Sequence, residues 1–254
     1  MLLTDGSPNT IDELRVYESA VAEVAHTEMI DLAVKLDLAT EEVAQNVLDF
    51  LLDRTGADPH AAGRRGIGVS DVTVTRQLKR WHAVHALEIF YRDAFNNQLN
   101  DRYQEKFREY HRLSKNAREH TFHFGVGLAL IPLPQAPPPV LSSVAGPIPQ
   151  TTYYARASWT GANGQESAPS EMTTYSAPAG ARPVAQMENP PIGATGCNVY
   201  LGLTSESVTL QNEVPVPIGQ SFVLPGTGLI QGKTPGQGQA GDVFISGMWM
   251  LRRG

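Results

Sequence analysis

Between Thr75 and His120 the apolar residues Leu78, Trp81, Val84, Leu87, Tyr91, Phe95, Leu99, Tyr103, Phe107, Tyr110, Leu113 and Ala117 recur every three or four positions. That is the period of one face of an α-helix. No proline interrupts the run, and Thr75 stands where an N-cap belongs. The pattern predicts one long helix, about 65 Å at about 1.5 Å per residue. Asn96, Asn97 and Asn100 are its weak point, because asparagine side chains compete for backbone hydrogen bonds; a kink or a tight helix–helix corner is expected there. An aromatic stripe of this length has to be covered by other helices of the chain, by copies of itself, or by both. Trp81, Tyr91, Phe95, Tyr103 and Phe107 are the expected subunit–subunit packing positions.

Upstream, residues 1–10 read as an extended arm ending in a capping box, Thr10 with Glu13 three positions on. The helix that follows carries Leu14, Tyr17, Val21 and Val24 on one face. A second helical pattern runs through Ile30, Val34, Leu36 and Leu38. A third is capped by Thr40, with Glu41 and Glu42 in its first turn, where acids suit the helix dipole. The glycine-rich stretch 55–70 reads as a loop, or as a finger in which Arg64 and Arg65 line a channel or meet DNA.

Downstream of His120 the period changes. Residues 124–134 (FGVGLALIPLP) read as a strand or extended crossover, and 135–139 (QAPPP) as a stiff polyproline hinge. In TTYYARASW (151–159) the residues Tyr153, Ala155, Ala157 and Trp159 fall on one face, and Asn163-Gly164 is a hairpin-type turn. Short strand patterns follow at 172–177, 183–188, 197–203, 207–213 and 221–225, the spacing of an antiparallel β-sandwich. The last segment is rich in Gly and Gln and then apolar. Trp249 and Met250 beside Arg252 and Arg253 read either as a peptide that docks on a partner, or as a final strand or plug returning to its own domain. The fold class is therefore α+β and multidomain. A helical domain (1–124) with one long helix is followed by an extended Pro-rich linker (125–137), an antiparallel β-sandwich (138–226) and an extended Gly-rich C-terminal tail (227–254).

The chain has 254 residues, 41% hydrophobic and 18% charged, enough for a packed core. One cysteine, Cys197, excludes an internal disulfide framework and a Cys-rich zinc site. There is no secretory h-region and no apolar run long enough to span a membrane, so folding in a reducing cytoplasm is expected. The net charge of −6 is uneven: residues 1–75 carry 14 acids and 5 bases, and residues 76–120 carry 6 acids and 10 bases. A nucleic-acid surface on the basic helix is one reading. Interleaved acids (Glu88, Asp93, Asp101, Glu105, Glu109) favour acidic helices packing beside a basic one.

No Walker A sequence, GxGxxG or nucleophile elbow is present. His82 and His85 have a spacing that can place two imidazoles on one metal, but with no carboxylate pair or cysteine obviously matched to them they read as helix-interface or surface histidines. His120 and His123 read as C-terminal cations or caps. Glu166, Glu171 and Glu188 read as solvated loop acids, and Cys197 as a small buried residue. No cofactor, metal or catalytic set is expected.

Two parts of the chain carry a resemblance. TTYYARASWTGANGQESAPSE (151–171) and PPIGATGCNVYLG (190–202) resemble a fibronectin type III or Ig-like module of tailed-bacteriophage virion proteins. LRVYESAVAEVAHTEMIDLAVKLDLATEEV (14–43) and LKRWHAVHALEIFYRDAFNNQLNDRYQEKFREY (78–110) resemble phage structural proteins encoded near the portal, in particular head-to-tail connector (adaptor) proteins. The resemblance implies a non-enzymatic virion protein of the neck, assembled in the bacterial cytoplasm. It implies a homo-oligomeric ring, dodecameric if adaptor-like, bound to portal and other neck or tail proteins. Genomic DNA would pass through the ring without sequence-specific contact, and no membrane would be involved. A surface Ig-like module that binds carbohydrate or decorates the capsid is the alternative. It expects exposed aromatics around Trp159, Tyr175 or Tyr200.

Overall fold

The computed structural model describes residues 1–55, 66–97 and 101–247. Five α-helices are present: α1 (Ile11–Tyr17), α2 (Val21–Glu28), α3 (Leu32–Thr55), α4 (Arg76–Asn97) and α5 (Gln104–Phe124). The strands are β1 (Val72–Thr73), β2 (Val126–Leu128), β3 (Val140–Ala145), β4 (Thr151–Gly161), β5 (Thr173–Ala177), β6 (Ala181–Gln186), β7 (Ala194–Gly202), β8 (Thr209–Leu210), β9 (Val216–Pro217), β10 (Ser221–Val223) and β11 (Val243–Ile245). All pairings between strands are antiparallel, so the class is α+β. The chain divides into two compact units, and neither is contiguous. Residues 6–130 and the chain from 240 onward form the helical unit, and residues 1–5 with 131–239 form the β unit.

In the helical unit the capping box at α1 forms as its residues imply. Thr10 Oγ1 accepts from the Glu13 N–H at 3.3 Å, and Glu13 Oε2 accepts from the Thr10 N–H at 3.0 Å. The second and third helical patterns fuse into one helix, α3. Leu32, Leu36, Ala39, Val43, Val47 and Leu51 make one unbroken buried face through Thr40. Thr40 is therefore not a cap: its hydroxyl donates to Leu36 O at 2.9 Å inside the helix. The N-terminal cap is Asp31, whose Oδ1 accepts from the Ala33 N–H at 2.8 Å.

The expected long helix is two. α4 begins at its Thr75 cap, where Oγ1 accepts from the Leu78 N–H at 3.2 Å, and it ends at Asn97. α5 starts at Gln104 and lies antiparallel against it. Tyr91 stacks on Tyr110 with ring centres 5.4 Å apart, Phe95 on Phe107 at 6.4 Å, and Trp81 meets the edge of Phe122 at 5.5 Å. Asn96 and Asn97 thus sit at the end of α4, before the corner, as their side-chain chemistry suggests, and Asn100 lies outside the described residues. The consequence for the stripe is a correction. Trp81, Tyr91 and Tyr103 are only 2%, 2% and 5% exposed, covered within this unit, and are not subunit-packing positions. Phe95 and Phe107 are half-buried on each other. Burying one large apolar side chain is worth roughly 1.5–3 kcal/mol, and folding the stripe back on itself achieves this without a second copy.

A small sheet completes this unit, ordered β1-β2-β11. Gly127 sits opposite both Thr73 and Phe244. A Cβ there would lie 2.6 Å from Thr73 Oγ1, so only glycine permits this approach. β11 takes the final-strand alternative for residues 243–245. Arg64, Arg65, Trp249, Met250, Arg252 and Arg253 lie outside the described residues.

The β unit has two sheets, β10-β6-β3 and β5-β4-β7-β8, with β9 also on β7. Tyr153, Ala155, Ala157 and Trp159 point inward as the alternation predicts, and join Ala185, Met187, Cys197, Val199, Leu201 and Leu224 in one core. The consecutive strands β3 and β4 lie in different sheets, whereas the immunoglobulin order pairs the first two strands within one sheet.

Two connecting segments are fastened to the unit. The stiff hinge expected at 135–139 is anchored where it begins. Leu133 and Ala136 are buried, and Gln135 N–H donates to Asp5 Oδ1 at 2.8 Å while its Nε2 donates to Pro169 O at 2.8 Å. The Gly-rich stretch 230–239 is a strap laid on the unit rather than a leash. Leu210 N–H donates to Lys233 O at 2.9 Å, and the Met1 ammonium donates to Gln237 O at 2.6 Å. A Cβ on Gly232 would lie 2.1 Å from Leu210 O, so its glycine allows contact between backbones.

Candidate functional site

Three polar clusters stand out, two on the helices and one on the β unit. In the first, His82 is fully buried on α4. Asn9 is buried too, and its Nδ2 donates to Lys79 O at 2.8 Å and lies 2.9 Å from His82 Nδ1. Nδ1 therefore accepts, and the proton sits on Nε2, which faces Thr40 Oγ1 at 2.9 Å and Leu36 O at 3.2 Å. Every polar atom of the neutral ring has a partner. Burial pushes its pKa down to about 4.

One turn on, His85 is held in the opposite state. Its Nε2–H donates to Glu42 Oε2 at 2.8 Å and its Nδ1–H to Glu88 Oε2 at 3.0 Å, with Ser114 Oγ at 3.1 Å. Burial lowers the ring's pKa, but the hydrogen bonds and charges of the two carboxylates outweigh it and raise the net value. Glu88 also accepts from His111 Nδ1 at 2.8 Å. Burial works against its charge, yet the donors around it hold its carboxyl at about 2. This network joins α3, α4 and α5. It resembles a serine–histidine–carboxylate triad only in composition, since a ring kept cationic between two carboxylates accepts no proton from Ser114. A groove of about 260 Å³ opens beside it, lined by residues that include His85, Glu88, Lys115 and Arg118.

In the β unit, Glu166 corrects its reading as a solvated loop acid. Its Oε1 accepts from Ser158 Oγ at 2.5 Å, from Asn198 Nδ2 at 3.0 Å and from the Tyr200 hydroxyl, and Lys233 Nζ lies 3.2 Å from Oε2. Burial raises its pKa, but these donors lower it more. The cluster fastens the strap to the outer face of β4 and β7. Cys197 is buried in the core as expected, and burial pushes its thiol up to about 11.

His82 and His85 are indeed interface histidines, and among the described residues no group of three or more His, Cys, Asp or Glu is placed to hold a metal. No helix among the described residues is long and apolar enough to cross a membrane. Trp159 and Tyr200 are 1% and 0% exposed and offer no aromatic surface. Sequence reasoning passed over Asn9, Glu42, His111, Ser114 and the Glu166 set. The His82/His85 spacing was the one signal for the helical network, and nothing local marks partners separated by tens of residues.

The described surface of the helical unit carries exposed apolar residues on its N-terminal helices. Val16, Met29 and Val34 are 85%, 93% and 53% exposed, all on the three N-terminal helices or the turn between them. Met29 lines an open groove of about 470 Å³ with Ile11, Ala25, His26, Ile30, Asp31 and Leu32. Comparison with known proteins finds no family model that matches the chain and no curated protein that matches it.

Proposed function

We propose that this chain is a structural protein of a tailed-phage virion: a head-to-tail adaptor that closes into a ring on the portal and continues the DNA channel toward the tail. Its place would be the neck of the virion, and its chemistry would be assembly rather than turnover. The observation that carries the reading is the open groove where Met29, 93% exposed, stands with Ile11, Ala25, Ile30 and Leu32. A large apolar side chain this exposed beside an apolar groove marks a surface that another protein covers. Because the aromatic stripe is used inside the subunit, this groove takes its place as the contact between copies. The β unit in this reading is an Ig-like module in the broad two-sheet sense, with a strand order of its own. Burial of Trp159 and Tyr200 counts against the carbohydrate-binding alternative, of whose three expected aromatics only Tyr175 is partly exposed.

Light scattering with and without purified portal tests the reading. A ring-sized mass on portal is expected. Met29→Glu with Val34→Glu should abolish it while leaving the helical circular dichroism unchanged. No co-assembly of the wild-type chain with portal, or full assembly of the double variant, would refute it.

A further inference from the structure

The folding-back of α4 and α5 sorts charges that are mixed along the chain. Trp81 meets Phe122, so the start of α4 lies beside the end of α5. At this open end α4 brings Arg76, Lys79 and Arg80 and no acid, and α5 from His111 onward brings Arg112, Lys115 and Arg118 against one acid, Glu119. Lys79 is taken by Glu13 at 2.6 Å. Arg76, Arg80, Arg112 and Lys115 are exposed, and none has an acidic partner among the described residues. Of the acids that interleave in sequence, Glu88 lines a groove with Lys115, and Glu88, Asp93, Glu105 and Glu109 each have a basic partner. Glu88 is held between His85 and His111, Asp93 pairs with Lys35, and Glu105 and Glu109 pair with Arg108 and Lys106 toward the corner. Between the two helices at the basic end runs a groove of about 190 Å³, lined by Gln77, Arg80, Asn116 and His120 over a floor of Leu113 and Ala117.

We infer that this end of the α4–α5 hairpin binds the phosphate backbone of duplex DNA without sequence preference. Unpaired guanidinium and ammonium groups supply affinity through release of condensed counterions. Gln77 and Asn116 are neutral donors of the kind that position a phosphate. An anionic lipid surface would call for several exposed apolar side chains among the bases, and among the described residues of 76–118 no large apolar side chain is exposed; Phe124 and Phe244 are exposed beyond them. The inference places the non-specific DNA contact of the proposed function on particular residues, and to that extent rests on that reading.

The test is fluorescence polarisation of the full chain with a mixed-sequence, fluorescein-labelled duplex, titrated across salt concentrations. Micromolar binding is expected at low salt. R80Q/R112Q/K115Q should weaken it at least about tenfold and flatten the slope of log K against log salt by about three, near one per lost contact. Arg108→Gln, at the corner end, should leave both unchanged, and circular dichroism confirms that each variant is folded. No binding by the wild-type chain at low salt, or equal binding by the triple variant, overturns the inference. So does binding to phosphatidylserine vesicles with none to the duplex. Portal assembly is scored separately. A wild-type chain that assembles on portal but does not bind the duplex sinks this inference alone, and a wild-type chain that binds the duplex but does not assemble sinks only the neck reading.

Discussion

Acid should loosen the helical unit through His82 before it reaches any carboxylate. The folded ring has its pKa near 4, against about 6.5 for an unfolded histidine. Between those values the unfolded chain binds the extra proton and the folded chain does not, so stability is complete above the unfolded value and falls as pH drops through the window. From about pH 7.5 to about pH 4.5 the loss is about 2.5 kcal/mol, a large fraction of a typical domain's stability. The geometry explains why the fold resists the proton. A proton on Nδ1 would face Asn9 Nδ2, and turning the amide round would set its oxygen against Lys79 O. The neighbours do not mimic this trend. His85 has a raised pKa, so its contribution is full below the unfolded value and is lost only as pH rises. The contribution of Glu88 persists until pH falls below the ordinary carboxylate range toward 2. His82→Gln keeps one acceptor and one donor but cannot titrate. Urea unfolding followed by the helical circular dichroism signal, at both pH values, should show the wild type losing about 2–3 kcal/mol more than the variant. An identical pH dependence in the two proteins, or an NMR titration of His82 near the ordinary histidine value, would refute the reasoning.

Two further outcomes follow from the same packing. Glu88→Gln removes the carboxylate shared by His85 and His111. It should cost about 2–3 kcal/mol and move the NMR-measured titration of His85 downward; an unmoved His85 would show that Glu42 alone holds it. Gly232→Ala drives a methyl into Leu210 O. It should lift the strap, lower the melting temperature and open the Lys233 bond to trypsin, whereas wild-type resistance in the variant would mean that the strap does not need this close approach.

What the residues announce and what they conceal divide by distance along the chain. The Thr10–Glu13 box, the Thr75 cap, the inward face of β4 and the corner asparagines depend on neighbours within a few positions, and each can be read from a short window. Thr40 misleads because a hydroxyl that caps a helix can equally bond the turn before it, and only the continuity of Leu36, Ala39 and Val43 decides between them. Gly-rich 230–239 misleads because glycine serves close backbone contact as well as freedom, and Leu210, which it touches, is some twenty residues away. The aromatic stripe has the right period and the wrong partner: periodicity says that a face must be covered, and cannot say by what. Asn9 with His82 and Glu166 with Tyr200 bring together residues 73 and 34 positions apart, so no local spacing signals them.

The polypeptide passes from the β unit to the helical unit, back, and over again, with crossings after residues 5, 130 and 239. A scissor cut at any single crossing therefore releases neither half intact. Cleavage after 130 strands Leu2 and Leu3 away from the β unit, and takes β11 from the sheet that β1 and β2 share with it. The halves are woven together rather than strung in series, and dissecting them for study requires rejoining ends, by circular permutation or by a short splice, instead of truncation.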